Sequence, residues 1–259
     1  MRLDFLAIYK RELRVTLQSW GLYVSLAMFF FISALFFNAN IQAFVDASLE
    51  QMQNPYTAIN NPLNFSEYVV VNTFGVMAFL FIFIVPILTM RLLAEEKQTG
   101  TYELLATSPV SDWGIVLGKY FSAVTVIALV IALSSVFAGF MYWIGEPETS
   151  VVFGCLLGLM IVGSAYASFG LCASAMTQNQ MVAVVVSLIG LLTLYLARLL
   201  APASSGWWGD LLTDISLLSH SEMLLKGMIR LEDVTFFLLF TVFFLFVTHM
   251  LLQARRWRV

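Results

Sequence analysis

The sequence predicts an all-α polytopic membrane protein with six transmembrane helices, and three observations predict it. The first is composition. Of 259 residues, 60% are hydrophobic and 11% charged, where a soluble domain carries about 25% charged residues. Mean hydropathy is +0.88. The 13 Lys and Arg and 16 Asp and Glu are too few to coat a water-soluble globule that must also hide 23 Phe. This excludes a disordered chain, a nucleic-acid binder and an ordinary cytosolic enzyme. The second observation is six apolar segments near the ~20 residues needed to cross the hydrocarbon core. The third is the placement of the basic residues between them.

The spans read as Trp20–Phe37, Tyr68–Met90, Tyr120–Ile144, Val151–Met176, Met181–Ala197 (extending through Arg198 to Leu200) and Val234–Leu252. Apart from Arg198, none contains Asp, Glu, Lys or Arg. The first segment is a retained span rather than a cleaved leader, because 19 residues including Lys10, Arg11 and Arg14 precede it. With the N-terminus in the cytoplasm, ten of the 13 Lys and Arg fall inside. The loops 38–67 and 145–150 carry none. Cations oppose outward transfer, so both termini are expected in the cytoplasm. Trp257 within Arg255-Arg256-Trp257-Arg258 suits the headgroup depth.

Between the spans, residues 2–19 place Leu3, Leu6, Tyr9, Leu13, Leu17 and Trp20 at helical spacing, with Lys10, Arg11 and Arg14 off that stripe. This predicts an N-terminal interfacial helix on the inner side. The outer loop 38–67 is rich in Asn and Gln and is assigned no chemistry. The outer segment 201–233 carries Leu211, Ile215, Leu218, Leu225 and Ile229, which suit a re-entrant or amphipathic helical segment. Asp214, His220, Glu222 and Lys226 make it too polar for a seventh span. The fourth span carries Gly154-xxx-Gly158, Gly163 and Gly170-xxx-Ser174, the small-residue spacing that lets helices approach closely inside one subunit. Cys155 and Cys172 lie ~25 Å apart along that helix and form no bridge within it. His249 stands about one turn from the inner end of its span and reads as an interfacial histidine.

The most informative stretch is the inner connection 91–119, RLLAEEKQTGTYELLATSPVSDWGIVLGK. A charged turn at Glu95-Glu96-Lys97 meets Gly100, a break; a short apolar helix over 102–106 follows and ends at Ser108-Pro109. Arg91, Ala94, Glu95, Glu96, Gly100, Thr101, Glu103, Leu104, Leu105, Ser108, Pro109, Gly118 and Lys119 match a signature, and the chain thereby resembles type 2 ABC transporter permeases. Leu217-Leu218-Ser219-His220 with Gly227 and Asp233 is a second match. Within that family it is similar to the gliding-motility-type and nitrous-oxide-reductase-maturation-type permeases.

The resemblance implies a membrane subunit that works with two copies of an ATP-binding cassette ATPase and with a second permease copy or a related permease. It implies a cytoplasmic coupling helix gripped by the ATPase. By position that role falls to Arg91, Ala94, Glu95, Glu96, Lys97, Gly100, Thr101 and Glu103, with Glu95 and Glu96 facing basic ATPase residues. The first and fifth spans would line a path between copies, which puts Phe29, Phe30, Phe36, Val185, Leu188 and Leu192 on it. Such an apolar path suits lipids, peptides or hydrophobic segments, or force passed to a periplasmic partner. The sequence offers no catalytic residue, metal ligand set or cofactor site. Gly114-Ile-Val-Leu-Gly118-Lys119-Tyr120 has three residues between the glycines and Tyr after Lys, where a phosphate loop needs four and Ser or Thr. ATP and Mg are therefore expected on the partner ATPase. An autonomous channel or secondary carrier is the alternative, but ion-driven carriers normally keep a charged residue inside a span.

Overall fold

A computed structural model of the chain describes residues 2–53, 63–100, 111–200 and 206–256. Among these residues it is helical and has no strand. The helices are α1 (Arg2–Leu17), α2 (Trp20–Gln53), α3 (Asn72–Thr89), α4 (Arg91–Gln98), α5 (Asp112–Ile144), α6 (Thr149–Met176), α7 (Gln180–Leu200), α8 (Trp207–Ile215), α9 (Leu217–Leu225) and α10 (Leu231–Arg256). A π-helical turn, Ser66–Val71, leads into α3. Six helices are long and apolar enough to cross a membrane: α2, the continuous helix through the π turn, α3 and α4, then α5, α6, α7 and α10.

Three helices run further than hydropathy alone places them. α2 continues sixteen residues past Phe37, to Gln53. Asn40 does not break it; its amide donates to Thr73 Oγ1 at 3.1 Å. α3 passes into α4 with Met90 still in helical backbone geometry. α5 opens at Asp112, two turns before Tyr120, where Ser111 Oγ accepts the Gly114 N–H at 3.2 Å and Asp112 faces the helix N-terminus.

α6 is the central post. It touches α3, α5, α7, α9, α10 and the π turn. Its small residues serve contacts inside the chain, as the spacing predicts. A Cβ on Gly163 would meet Ile127 at 2.8 Å, and one on Gly170 would overlap Thr89 Oγ1 at 2.1 Å. At the end away from α4, α8 and α9 form the broken pair of the outer segment. Leu217 and Leu224 of α9 are fully buried. Their seat is glycine-made: a Cβ on Gly154 would lie 2.6 Å from Gly227 Cα, and one on Gly158 would lie 3.3 Å from the Leu224 backbone. Gly227 itself turns with φ +76, a left-handed geometry that suits glycine. The Cys155 thiol donates to the Leu225 carbonyl at 2.7 Å, and both cysteines are free and buried. His220 Nδ1 lies 2.7 Å from Asp233 Oδ1, and its ring stacks on Phe236.

α1 departs from its expected stripe. Among the described side chains its buried positions are Ile8 and Glu12; Tyr9, Leu13 and Leu17 of the stripe are half-buried, whereas Leu6 and Trp20 are exposed. Ile8 fits over Gly118 of α5, Phe5 packs edge-on against Phe121 at 6.1 Å, and Tyr9 and Thr125 share a 2.9 Å hydroxyl contact. α1 is therefore bonded to α5 rather than only lying in an interface. His249 likewise does not reach outward: it is buried and stacks on Trp113 at 4.3 Å.

Gly154→Ala is expected to lower the unfolding midpoint in detergent by about 3 °C or more, because backbone stands where its methyl would go. Gly139→Ala, with nothing within 4 Å, is expected to stay within about 1 °C. Paired thermal scans of the two variants check this.

Candidate functional site

α4 is amphipathic and short, and its position is set by four groups of bonds. The first is the joint with α3. Pro86 has no N–H and so removes one rung of the helix ladder. Ser174 of α6 then enters the joint. Its hydroxyl accepts the N–H of Leu93 at 3.1 Å and of Ala94 at 3.0 Å, and donates to the Met90 carbonyl at 2.9 Å. Gly170, one turn earlier on α6, leaves the space that Thr89 fills. The second bond is at the other end of α4, where the Lys97 ammonium donates to the Ala175 carbonyl.

The third is a buried ion cluster. Lys119 of α5 is fully buried. Its Nζ lies 2.9 Å from Glu96 Oε2 and 3.0 Å from Glu12 Oε1. Arg11 Nη1 stands 3.5 Å from Glu96 Oε1 on the exposed side. Two acids and two bases from α1, α4 and α5 thus meet in one place. Removing water from these charges costs several kcal/mol per ion, and the mutual attraction offsets it only if every partner is present. The fourth bond ties α4 to the α1–α2 turn: Arg91 Nη1 donates to Ser19 Oγ at 2.7 Å. Between α1 and the α3–α4 joint lies a cleft of about 260 Å³, bordered by Arg11, Glu12, Arg91, Glu95 and Glu96.

These contacts sort the sequence-predicted residues. Arg91 and Gly100 are exposed, Glu95 is half-buried on the cleft, and Ala94 is fully buried. Gly100 ends the segment with φ +71, the break expected there. Glu96 is the correction. It was expected to face an ATPase, but its carboxylate points inward to Lys119. Lys119, expected in a loop, sits inside α5. Thr101 and Glu103, with the expected helix at 102–106 and its stop at Ser108-Pro109, lie outside the described residues.

The path residues divide too. Phe29 is 1% exposed and packs on Phe81 at 5.6 Å, so it belongs to the chain's own core and is withdrawn from the path. Phe30 is half-buried against Phe137. Leu188 and Leu192 are half-buried, and Val185 is exposed. Phe36 borders a cleft of about 460 Å³ with Phe79, Tyr195 and Glu222, between α3, α7 and α9.

Sequence reasoning did not single out Glu12, and it named Lys119 and Ser174 only as a signature residue and a small packing residue, without their bonds to α4. A signal for Lys119 exists: it falls three and four residues after Val116 and Ile115 and four before Ala123, on the face that α5 buries.

The family comparison agrees with this architecture. A family model described as ABC-2 family transporter protein matches residues 6–241. The chain belongs to that family and is a membrane component of an ABC transporter. No curated protein matches it.

Lys119→Met leaves two carboxylates buried without their cation and is expected to cost about 3–5 kcal/mol. Adding Glu12→Gln and Glu96→Gln to it is expected to restore most of that loss. Denaturant unfolding of the single and triple variants in mild detergent measures both.

Proposed function

We propose that this chain converts ATP hydrolysis by separate ATP-binding cassette subunits into export or mechanical work across a bacterial inner membrane. Two ATPase copies would bind ATP and Mg at the cytoplasmic face, beneath two permease copies or one copy and a related permease. Both termini and α4 would lie on that face, following the distribution of Lys and Arg. A periplasmic partner would receive the work where no substrate crosses.

The observation that supports this most is the bonding of α4. It is continuous with α3, hydrogen-bonded to α6, and ion-paired to α1 and α5. A push on its outer face therefore loads four other helices at once. Arg91, Glu95, Gln98 and Thr99 form that face, with Glu95 the acid that meets a basic ATPase residue. A half-buried acid at the cleft mouth of this kind sets orientation and association more than affinity. Closure of the ATPases would move α1, α3, α4, α5 and α6 together. The peripheral α2, α7 and α10 have only 28%, 22% and 22% of their apolar stretches buried. They would shift against that block and open the apolar path.

Glu95→Lys is expected to lower ATP-driven turnover and ATPase co-purification at least about tenfold, near 1.4 kcal/mol, with an unchanged unfolding midpoint. Glu96 is unsuitable for this test because its loss breaks the internal cluster. Wild-type turnover in Glu95→Lys would refute the assignment of this face.

A further inference from the structure

The cleft between α1 and the α3–α4 joint has a part that the coupling reading does not use. Its volume is about 260 Å³, and its lining changes character along its length. Leu22 of α2 and Ile87 and Leu88 of α3 border one part, on helices that cross the membrane. Ser19 and Gly21 of the α1–α2 elbow border the next, with Arg91 and Glu95 of α4. Neighbouring residues fix the depth. No charged residue stands between Glu67 and Arg91, so Arg91 marks where the apolar stretch of α3 ends. Trp20 and Tyr23, at the start of α2, are 85% and 57% exposed, and such rings gather at headgroup level. The cleft therefore runs from acyl-chain depth to headgroup depth.

The charges on its border are not all spent. Glu12, Glu96 and Arg11 belong to the Lys119 cluster. Arg91 and Glu95 do not. Among the described residues neither is in an ion pair, although they stand one turn apart on α4. Ser19 Oγ accepts one N–H of Arg91 at 2.7 Å and so steadies the guanidinium beside the elbow. Gly21 keeps the space next to it open: a Cβ there would lie 3.8 Å from Arg91 Nη2, at ordinary contact distance. An arginine fork with a hydroxyl beside it suits a phosphate. A carboxylate four residues on, about 6 Å along the helix, suits an ammonium.

We propose that this part of the cleft binds an inner-leaflet phospholipid with a phosphoethanolamine head. The phosphate lies on Arg91 and Ser19, the ammonium on Glu95, and one acyl chain against Leu22, Ile87 and Leu88. The proposal deepens the functional reading above and rests on its placement of α4 at the inner membrane face. Chemistry selects this head. One cation and one carboxylate outside the ion cluster match a head that carries one of each charge. A phosphate without an amine, as in phosphatidylglycerol, leaves Glu95 unmatched, and a trimethylated amine has no N–H to donate to it. A lipid so held joins the α1–α2 elbow to α4, where the functional reading applies the load. Glu95 is also the acid assigned to the ATPase, so binding is measured on the full chain without its ATPase.

The test is native mass spectrometry of the chain in micelles holding equal amounts of phosphatidylethanolamine, phosphatidylglycerol and phosphatidylcholine. One phosphatidylethanolamine is expected to stay bound, at least about fivefold over either competitor. Arg91→Gln is expected to lower its retention at least about tenfold. Gly21→Leu, which keeps every charge and fills the cleft, should do the same. Lys10→Gln removes an exposed cation outside the cleft and should change retention less than about twofold. Glu95→Gln should abolish the preference for phosphatidylethanolamine over phosphatidylglycerol, a change that a loss of packing would not produce. Equal retention of the three lipids overturns the site. So does unchanged retention in Gly21→Leu with a wild-type unfolding midpoint. Displacement of the lipid by an equal concentration of soluble phosphoethanolamine also overturns it, because the acyl chain would then contribute nothing. A chain that retains the lipid but never co-purifies with an ATPase overturns the functional reading and leaves the site standing.

Discussion

Lys119 has no solvent exposure and two carboxylates within 3.0 Å, and a cation there is untenable unless both acids stay in place. That requirement propagates. Glu12 must be delivered by α1, so α1 is held along α5, with Ile8 over Gly118 and Tyr9 at Thr125. Glu96 must be delivered by α4, so α4 keeps the helical direction of α3 and does not peel away. The three elements form one unit at this end of the bundle, and α6 joins it through Ser174 and the Ala175 carbonyl.

The two ends of the bundle are held by different physics. At the α4 end the contacts are charged and hydrogen-bonded, with directional partners that transmit a displacement. At the opposite end α9 is seated by close packing on Gly154 and Gly158, with polar ties from Cys155 to the Leu225 carbonyl, from His220 to Asp233 and from Glu222 to Arg198. Small-residue packing gives contact area without fixed partners and tolerates sliding better than a buried ion cluster. The larger cleft, at this end, is bordered by Phe36 of α2, Tyr195 of α7 and residues of α3 and α9.

Much of this was legible in the amino-acid sequence, for reasons particular to a membrane. Apolar runs near 20 residues carry their own boundary, so six spans and the place of the α4 segment followed from hydropathy and from Gly100. The glycine and serine spacing of α6 was equally readable, because close approach in lipid needs those residues. Hydropathy fails where a helix leaves the hydrocarbon without ending. It stopped α2 at Phe37 and began α5 at Tyr120, and so put Lys119 in a loop. Glu96 was misread for a related reason: a charged residue near a membrane surface looks solvated until its partners, Arg11 85 residues before and Lys119 23 after, are known. Phe29 and Phe36 are both phenylalanines on one span, and only the packing separates a core ring from a cleft ring.

The claim that carries the account is that α1 and α4 move as one body when the ATPases close. Nitroxide labels at Lys10 on α1 and Gln98 on α4, both exposed, report it directly by pulsed dipolar spectroscopy of the assembled complex. The account predicts the same distance distribution, within about 2 Å, in the nucleotide-free and ATP-trapped states. A nucleotide-dependent shift of about 5 Å, one helical turn, would contradict it, because α4 would then slide past α1 and the buried ion cluster would transmit nothing.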